Sequence, residues 1–351
     1  MKDYTNVHSV AFDITYRCNF NCLHCFNNSG GHTFELTELS DEEFLSICKE
    51  IVTLKPTFVC ICGGEPLLRK ELVYSVIDTI TVGTSGQTQV SMVTNGFLMS
   101  KEIADRLKKS GLSNIQVSLD GFKPESHDWL RNQKGAHKKA IEALRTLNEA
   151  GVHTSVSCAP TKKNLYEFPD LVELCLDLQV KQFRVQPLMM LGKAKNYLSE
   201  HVLSEKEYIK LVGILEELKY NHLDKGLVIE WGDPIQHLTD FMANSFLKNL
   251  ALNINAYGFL VTSPYIPLYT GDLRKYSLLE YMKHDYVQHI KTNLIRDICN
   301  KIKTPGEMEL NSKDSRIPLN YLTRSMYADW IDNNDAYNGS LEEFLNRKVD
   351  S

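Results

Sequence analysis

Apolar and β-branched residues come in short runs along the first two-thirds of the chain. Each run is followed by a stretch whose apolar positions recur every three or four residues. Val7–Thr15, Thr57–Cys62, Val90–Thr94, Ile115–Leu119, His153–Cys158 and Phe183–Pro187 read as strands. Arg69–Val82, Ser100–Ser110, His137–Ala150 and Leu165–Leu178 read as helices, with Gly111 and Gly151 closing two of them. Ser40 opens a further helix through a Ser40-x-x-Glu43 capping box. A second box, Ser204 to Glu207, precedes a helix with Tyr208, Leu211, Val212, Leu215 and Leu218 on one side.

Strand–helix order repeated six times implies parallel strands joined by right-handed crossovers, an α/β fold. Six units suit a partial (β/α)6 barrel or an open α/β sheet, and in both the chemistry gathers at the carboxyl ends of the strands. The pattern changes near residue 225. Leu227–Trp231, Leu250–Asn255 and Phe259–Thr262 read as strands, the last two forming a β-hairpin about Ala256-Tyr257-Gly258. Helical stretches follow near Leu278–His289 and Leu341–Arg347. The chain therefore divides into residues 1–222, the barrel, and 223–351, a smaller α+β cap with a helical tail.

Composition narrows the picture. The 351 residues carry a net charge of -5, which leaves no basic footprint for nucleic acid or an anionic membrane. No apolar run is long enough to span a bilayer, and the opening MKDYTNVHSV does not read as a signal peptide. The nine cysteines are an odd number and suggest reduced thiols in the cytoplasm rather than a disulfide framework.

Three of those cysteines crowd into CNFNCLHC: Cys18, Cys22 and Cys25. Zinc wants a fourth thiolate or imidazole at short spacing, and His24 lies between two of the thiols, where joint coordination is hindered. A four-iron cluster is also held by thiolates, and three of them leave one iron open to another ligand.

CxxxCxxC directly after the first strand of such a chain resembles the radical SAM superfamily. The resemblance implies a [4Fe-4S] cluster on Cys18, Cys22 and Cys25. S-adenosylmethionine (S-adenosyl-L-methionine, SAM) would chelate the open iron. One-electron cleavage would give a 5'-deoxyadenosyl radical that abstracts hydrogen from a substrate. Gly63-Gly64-Glu65-Pro66 matches the family's GGEP segment, with glycines admitting the methionine moiety and the Glu65 carboxylate suited to its ammonium. Asn95 and Ser118 match polar positions that contact ribose or carboxylate. Asp120 and Arg131 match positions sometimes turned to the cofactor, and His24 stands beside the last cysteine, near the adenine.

Leu250–Tyr286 resembles the hairpin of the SPASM/twitch extension found on peptide-modifying members of the superfamily. Those members place a cysteine before a proline where this chain has Ser263-Pro264, and Cys299 is the only cysteine after Cys175. One thiol cannot hold a cluster, so the extension reads as clusterless. Without an auxiliary electron acceptor, redox-neutral outcomes such as epimerisation are easier to accommodate than oxidative crosslinks. Epimerisation needs a hydrogen donor, for which Cys158 and Cys299 are candidates, although packing accounts for both. Cys60 and Cys62 alternate on one strand face and read as core or barrel-lining thiols.

The resemblance thus implies an enzyme acting on a ribosomally made precursor peptide. It also implies a flavodoxin- or ferredoxin-type electron donor, and recognition of a leader peptide by the cap or by a separate leader-peptide-binding protein. The alternatives are a radical SAM enzyme of small-molecule or cofactor biosynthesis, and a non-catalytic iron–sulfur or zinc protein.

Overall fold

A computed structural model of the protein describes residues 7–30, 36–243, 250–304 and 327–347. The alternation read from the sequence builds β1 (Val7–Asp13), α1 (Asp41–Leu54), β2 (Phe58–Cys62), α2 (Lys70–Gly83), β3 (Gln89–Thr94), α3 (Lys101–Ser110) and β4 (Asn114–Ser118). It continues through α4 (Pro124–Arg131), α5 (Ala136–Glu149), β5 (His153–Cys158), α6 (Phe168–Asp177), β6 (Gln182–Val185), α7 (Lys193–Tyr197) and α8 (Glu205–Asn221). After these come β7 (Val228–Trp231), α9 (Pro234–Met242), β8 (Leu250–Ile254), β9 (Phe259–Ser263), β10 (Ile266–Asp272), α10 (Leu278–Lys283), α11 (Asn293–Lys301) and α12 (Leu341–Arg347).

Both expected capping boxes form. Glu43 N–H donates to Ser40 Oγ at 3.2 Å while Ser40 N–H donates to Glu43 Oε2 at 2.7 Å, and Ser204 and Glu207 repeat the exchange ahead of α8. Apolar spacing then sets the buried face: Phe44, Ile47, Cys48, Ile51 and Leu54 of α1 lie in one core with Val59 and Ile61 of β2.

All ten strands form one sheet in the order β10-β9-β8-β1-β2-β3-β4-β5-β6-β7. Strands β1 to β7 run parallel and β8 pairs parallel with β1, after which β9 and β10 return antiparallel. Its two ends, β7 and β10, are not hydrogen-bonded to each other, which makes the barrel partial.

Three details differ from the sequence reading. Leu227–Trp231 was read with the cap, but β7 pairs with Gln182–Val185 of β6 as a seventh parallel strand. The hairpin was also read with the cap, and its strand β8 joins β1, with Ala11 opposite Asn253 and Phe12 opposite Ile254. Strand β10 was not anticipated, because Pro267 and Gly271 interrupt its pattern.

The parallel strands carry two unlike faces. Val59, Ile61, Val90, Met92, Ile115, Val117, Val156, Phe183 and Val185 are all 0% exposed and pack outward under the helices. The alternate positions, among them Asp13, Cys60, Cys62, Ser91, Gln116, Ser157 and Arg184, are half-buried and line the inside of the barrel. This polar inner wall is the surface a substrate can reach.

Candidate active site

The chain leaving β1 makes a loop that carries Cys18, Cys22 and Cys25, all three half-buried and free. The thiols are neighbours whose like charges raise one another's pKa. Burial is the larger cause: it pushes Cys18 up to about 12 and Cys22 up to about 11. Hydrogen bonds fix the loop. Phe20 N–H donates to Cys18 Sγ at 3.4 Å, and Cys25 Sγ donates to Asn27 Oδ1 at 3.1 Å. Buried Asn27 also accepts from Ser29 N–H and Ser29 Oγ–H, at 3.2 and 2.7 Å.

At the end of β2, Gly63 has φ +140° and a Cβ there would run into the Thr15 carbonyl. A Cβ on Gly64 would run into the Arg17 carbonyl. Glycine thus lets the exit of β2 lie against the start of the cysteine loop, with Gly64 N–H bonded to Thr15 O at 2.7 Å and Glu65 N–H to Arg17 O at 3.0 Å.

The Glu65 carboxylate, which the resemblance suits to an ammonium, is 0% exposed and accepts three hydrogen bonds. These come from Leu67 N–H at 3.1 Å, Thr94 Oγ–H at 2.8 Å and Asn95 N–H at 2.9 Å. It is a strut between the ends of β2 and β3. Asn95 continues the tie, its Nδ2 donating to Asn19 Oδ1 at 2.8 Å and so reaching the cysteine loop.

At the end of β4, Ser118 is 6% exposed and Asp120 is 0% exposed. Arg131 Nε donates to Asp120 Oδ2 at 2.5 Å, and Ala159 N–H donates to Asp120 Oδ1 at 3.0 Å. Burial would raise the Asp120 pKa, but Arg131, His24 and His127 together outweigh it and the carboxyl is held at about 2. The Arg131 charge favours the Cys22 thiolate, and Leu23 N–H donates to Leu130 O at 2.9 Å, which ties α4 to the cysteine loop. His24 lies beside Arg131, and burial, with Arg131 second, lowers its pKa to about 4. Its Nδ1 is buried and has no hydrogen-bond partner among the described residues.

Gly63, Gly64, Asn95 and the residues beside Arg131 thus reach the cysteine loop from the ends of β2, β3 and β4, while Ser118 lies buried at the end of β4. Sequence reasoning missed Asn19, Asn27 and the segment Gly192-Lys193. Gly192 has φ +57°, and a Cβ on it would strike the carbonyls of Cys25 and Phe26. Lys193 N–H donates to Cys25 O at 3.0 Å, and its ammonium reaches Asn21 and the Ser29 carbonyl. The signal available was Gly192 itself, a glycine shortly after a strand end.

Residues 12–175 match the family model described as "Radical SAM superfamily". The chain carries a radical SAM domain. The superfamily uses a [4Fe-4S] cluster and S-adenosylmethionine. The chain is 28% identical over 221 residues to the Fe-coproporphyrin III synthase of Methanosarcina barkeri, covering 63% of this chain and 54% of that protein. It is 25% identical over 307 residues to the sporulation killing factor maturation protein SkfB of Bacillus subtilis, covering 87% of this chain and 71% of that one. Streptococcus suis SuiB bound to S-adenosylmethionine shares the fold at a TM-score of 0.65 and 15% identity, over 92% of this chain and 73% of SuiB. The chain spans about half the length of several curated relatives it matches.

The radical SAM site fits its two cofactors on three observations. The three soft thiol donors sit on one loop. The Gly63-Gly64 segment offers bare backbone beside it. His24 Nδ1 is a buried ring nitrogen without a partner. No three His, Cys, Asp or Glu side chains among the described residues are gathered as they would be around a single metal ion. A four-iron cluster makes no such demand, because each thiolate binds a different iron.

Proposed function

We propose that this chain is a radical SAM enzyme that abstracts hydrogen from a ribosomally synthesised peptide, with epimerisation or crosslinking as the outcome. The single observation that carries the reading is the convergence of the ends of β1, β2, β3 and β4 on the Cys18–Cys25 loop. When bound, a cluster on Cys18, Cys22 and Cys25 with S-adenosylmethionine supplies a 5'-deoxyadenosyl radical. Around it the chain's own residues do ordinary work. Gly63 and Gly64 bare the backbone for the methionine end. Asn95, Ser118 and His24 present polar atoms to the sugar, carboxylate and adenine. Arg131 and Asp120 hold the cysteine loop against β4, and Glu65 holds β2 against β3. The polar inner wall admits the substrate.

The peptide substrate is supported by the SkfB match, which extends over 307 residues and so reaches into the cap. The small-molecule alternative is supported by the match to Fe-coproporphyrin III synthase, over 221 residues. A match of comparable reach, over 290 residues to a probable GTP 3',8-cyclase of Saccharolobus islandicus, supports the small-molecule alternative as well. The division at residue 222 belongs to the same proposal, as do a flavodoxin- or ferredoxin-type donor, leader recognition by the cap or a separate protein, and a cytoplasmic location. Among the described residues, no helix is long and apolar enough to cross a membrane.

Anaerobic reconstitution with iron and sulfide, then dithionite and S-adenosylmethionine, tests the reading. Release of 5'-deoxyadenosine by the native chain and its loss in a C18A/C22A/C25A variant are expected. An iron-free protein, or one whose triple variant is equally active, overturns it. A candidate precursor peptide, taken from any short open reading frame found beside the gene and incubated in D2O, then separates the outcomes: one deuterium gained marks epimerisation, two hydrogens lost marks a crosslink.

A further inference from the structure

Cys60 and Cys62 have no part in the site just described. They face the inside of the barrel from adjacent inward positions of β2, with Sγ to Sγ at 3.4 Å. Both are half-buried, whereas Val59 and Ile61 between and beside them are closed off at 0%. Strand register puts Asp13 directly opposite Cys62, and the Asp13 charge acts on both thiols. Ser91 of β3 stands opposite Cys60 in strand register, and the Arg184 charge of β6 favours the Cys60 thiolate. Cys62 immediately precedes Gly63, so the pair adjoins the proposed S-adenosylmethionine site.

The other candidate thiols are shut away. Cys158 is 2% exposed on the outward face of β5, where Cys175 of α6 is its neighbour. Cys299 is 1% exposed in the core beside Ile295 and Ile298. Neither opens on the barrel interior, so neither serves as the hydrogen donor considered from sequence.

We propose that Cys60 and Cys62 form a redox-active thiol pair that returns a hydrogen atom to the substrate radical, an inference that rests on the function proposed above. The S–H bond of one cysteine breaks and its hydrogen atom forms the new C–H bond of the product. An S–H bond and the Cα–H bond of a peptide are of similar strength, so the transfer is drawn forward by the consumption of the thiyl radical. The sulfur is left as a thiyl radical. The partner thiol gives its proton to the Asp13 carboxylate and bonds to that sulfur. The surplus electron leaves on a one-electron carrier of the flavin or iron–sulfur class. The substrate radical is reduced by one hydrogen atom, and the pair goes from dithiol to disulfide. An external dithiol restores it. A bridge between inward neighbours of one strand is strained and therefore easily reduced. Two features suit the pair to this exchange. Burial raises the Asp13 pKa to about 7, so it exchanges protons near neutrality. The hydrogen bond from Cys62 lowers the Cys60 pKa, so the two thiols share a proton.

Two readouts test the pair. Trypsin releases Glu50–Arg69, which holds Cys60 and Cys62 and no other cysteine. The full-length chain is equilibrated anaerobically in glutathione buffers of stepped ratio, acid-quenched, alkylated and digested. The expected result is reversible conversion of this fragment to a form two hydrogens lighter, abolished in C60S and in C62S. A fragment that stays doubly alkylated at every ratio overturns the proposal. In D2O with the candidate precursor peptide, C60A and C62A are expected to lower deuterated product per 5'-deoxyadenosine by about tenfold or more. Iron content and circular dichroism confirm folding. An unchanged ratio overturns the thiol pair and leaves the proposed function standing. A native chain that releases no 5'-deoxyadenosine defeats the proposed function, while the glutathione readout still reports on the pair.

Discussion

Arg131 Nε and Asp120 Oδ2 meet at 2.5 Å with the carboxylate 0% and the arginine side chain 12% exposed. The pair joins α4 to the end of β4, and the Arg131 charge acts on the Cys22 thiol as well.

Removing one member leaves the other buried and uncompensated. R131A should cost about 3 kcal/mol in urea unfolding, whereas the double variant R131M/D120L should recover most of that loss. Additive losses in the double variant would show that the two side chains act independently. Asp120 has a folded pKa of about 2 against an ordinary 3.8. Its contribution is therefore complete above the ordinary value and fades as pH falls through about 2. R131A should lose this acid sensitivity between those values.

Asp13 behaves in the opposite sense. Its folded pKa is about 7 against an ordinary 3.8, raised by burial and by the nearby Glu38. Between those values the folded state holds a proton that the unfolded state has released, so stability falls as pH rises. D13N removes this slope. It should match the native chain near pH 4 and exceed it by about 2–4 kcal/mol above pH 7, read as a difference in urea midpoints across pH. Parallel stability–pH curves for the two proteins would contradict the buried carboxyl.

Glycines at the β2 exit should be far less replaceable than glycines elsewhere. G63A and G64A place a methyl group on the carbonyls of Thr15 and Arg17, and each should cost at least about 2 kcal/mol. Gly213, in the middle of α8, meets nothing within 4 Å. G213A should stabilise by about 0.5–1 kcal/mol. Thermal unfolding of the three variants measures the contrast.

In the cap, Asp329 is 1% exposed and accepts from Tyr281 Oη–H at 2.6 Å and Tyr327 Oη–H at 2.8 Å, while its other oxygen accepts from Ile331 N–H at 2.9 Å. These bonds pin residues 327–332 to α10. D329A should cost about 2–3 kcal/mol and raise amide exchange in β10 and residues 327–337 before it does so in β2 or β3. Uniform exchange across the whole sheet would indicate that Asp329 has no local role.

The sequence carried the parts of the site whose chemistry demands a residue type at a spacing. Cys18, Cys22 and Cys25 had to be cysteines, and Gly63-Gly64 had to lack side chains. It did not carry partner choice. Glu65 looks like a ligand for an ammonium in one dimension, and only the approach of Thr94 and Asn95 shows that its carboxylate also ties the end of β2 to β3. Asp13 reads as the polar end of a strand, because nothing local says that Cys60 and Cys62 will flank it. The alternation of β1 to β6 was visible because their outward positions are uniformly apolar. Helix α4 is short and begins at Pro124, and β7 lies beyond the longest helix, so neither announced its place in the barrel.

The parallel pairing of β8 with β1 has a consequence for any shortened form of the protein. The strand that feeds the cysteine loop has a neighbour on each side, and one of those neighbours comes from residue 250 onward. Truncation after α9 would strip that side and turn Val7–Phe12 into an exposed edge with a row of open N–H and C=O groups, an invitation to self-association. Though it lacks the cysteines of a cluster domain, the C-terminal region is a stave of the barrel, and the catalytic half is not expected to be soluble without it.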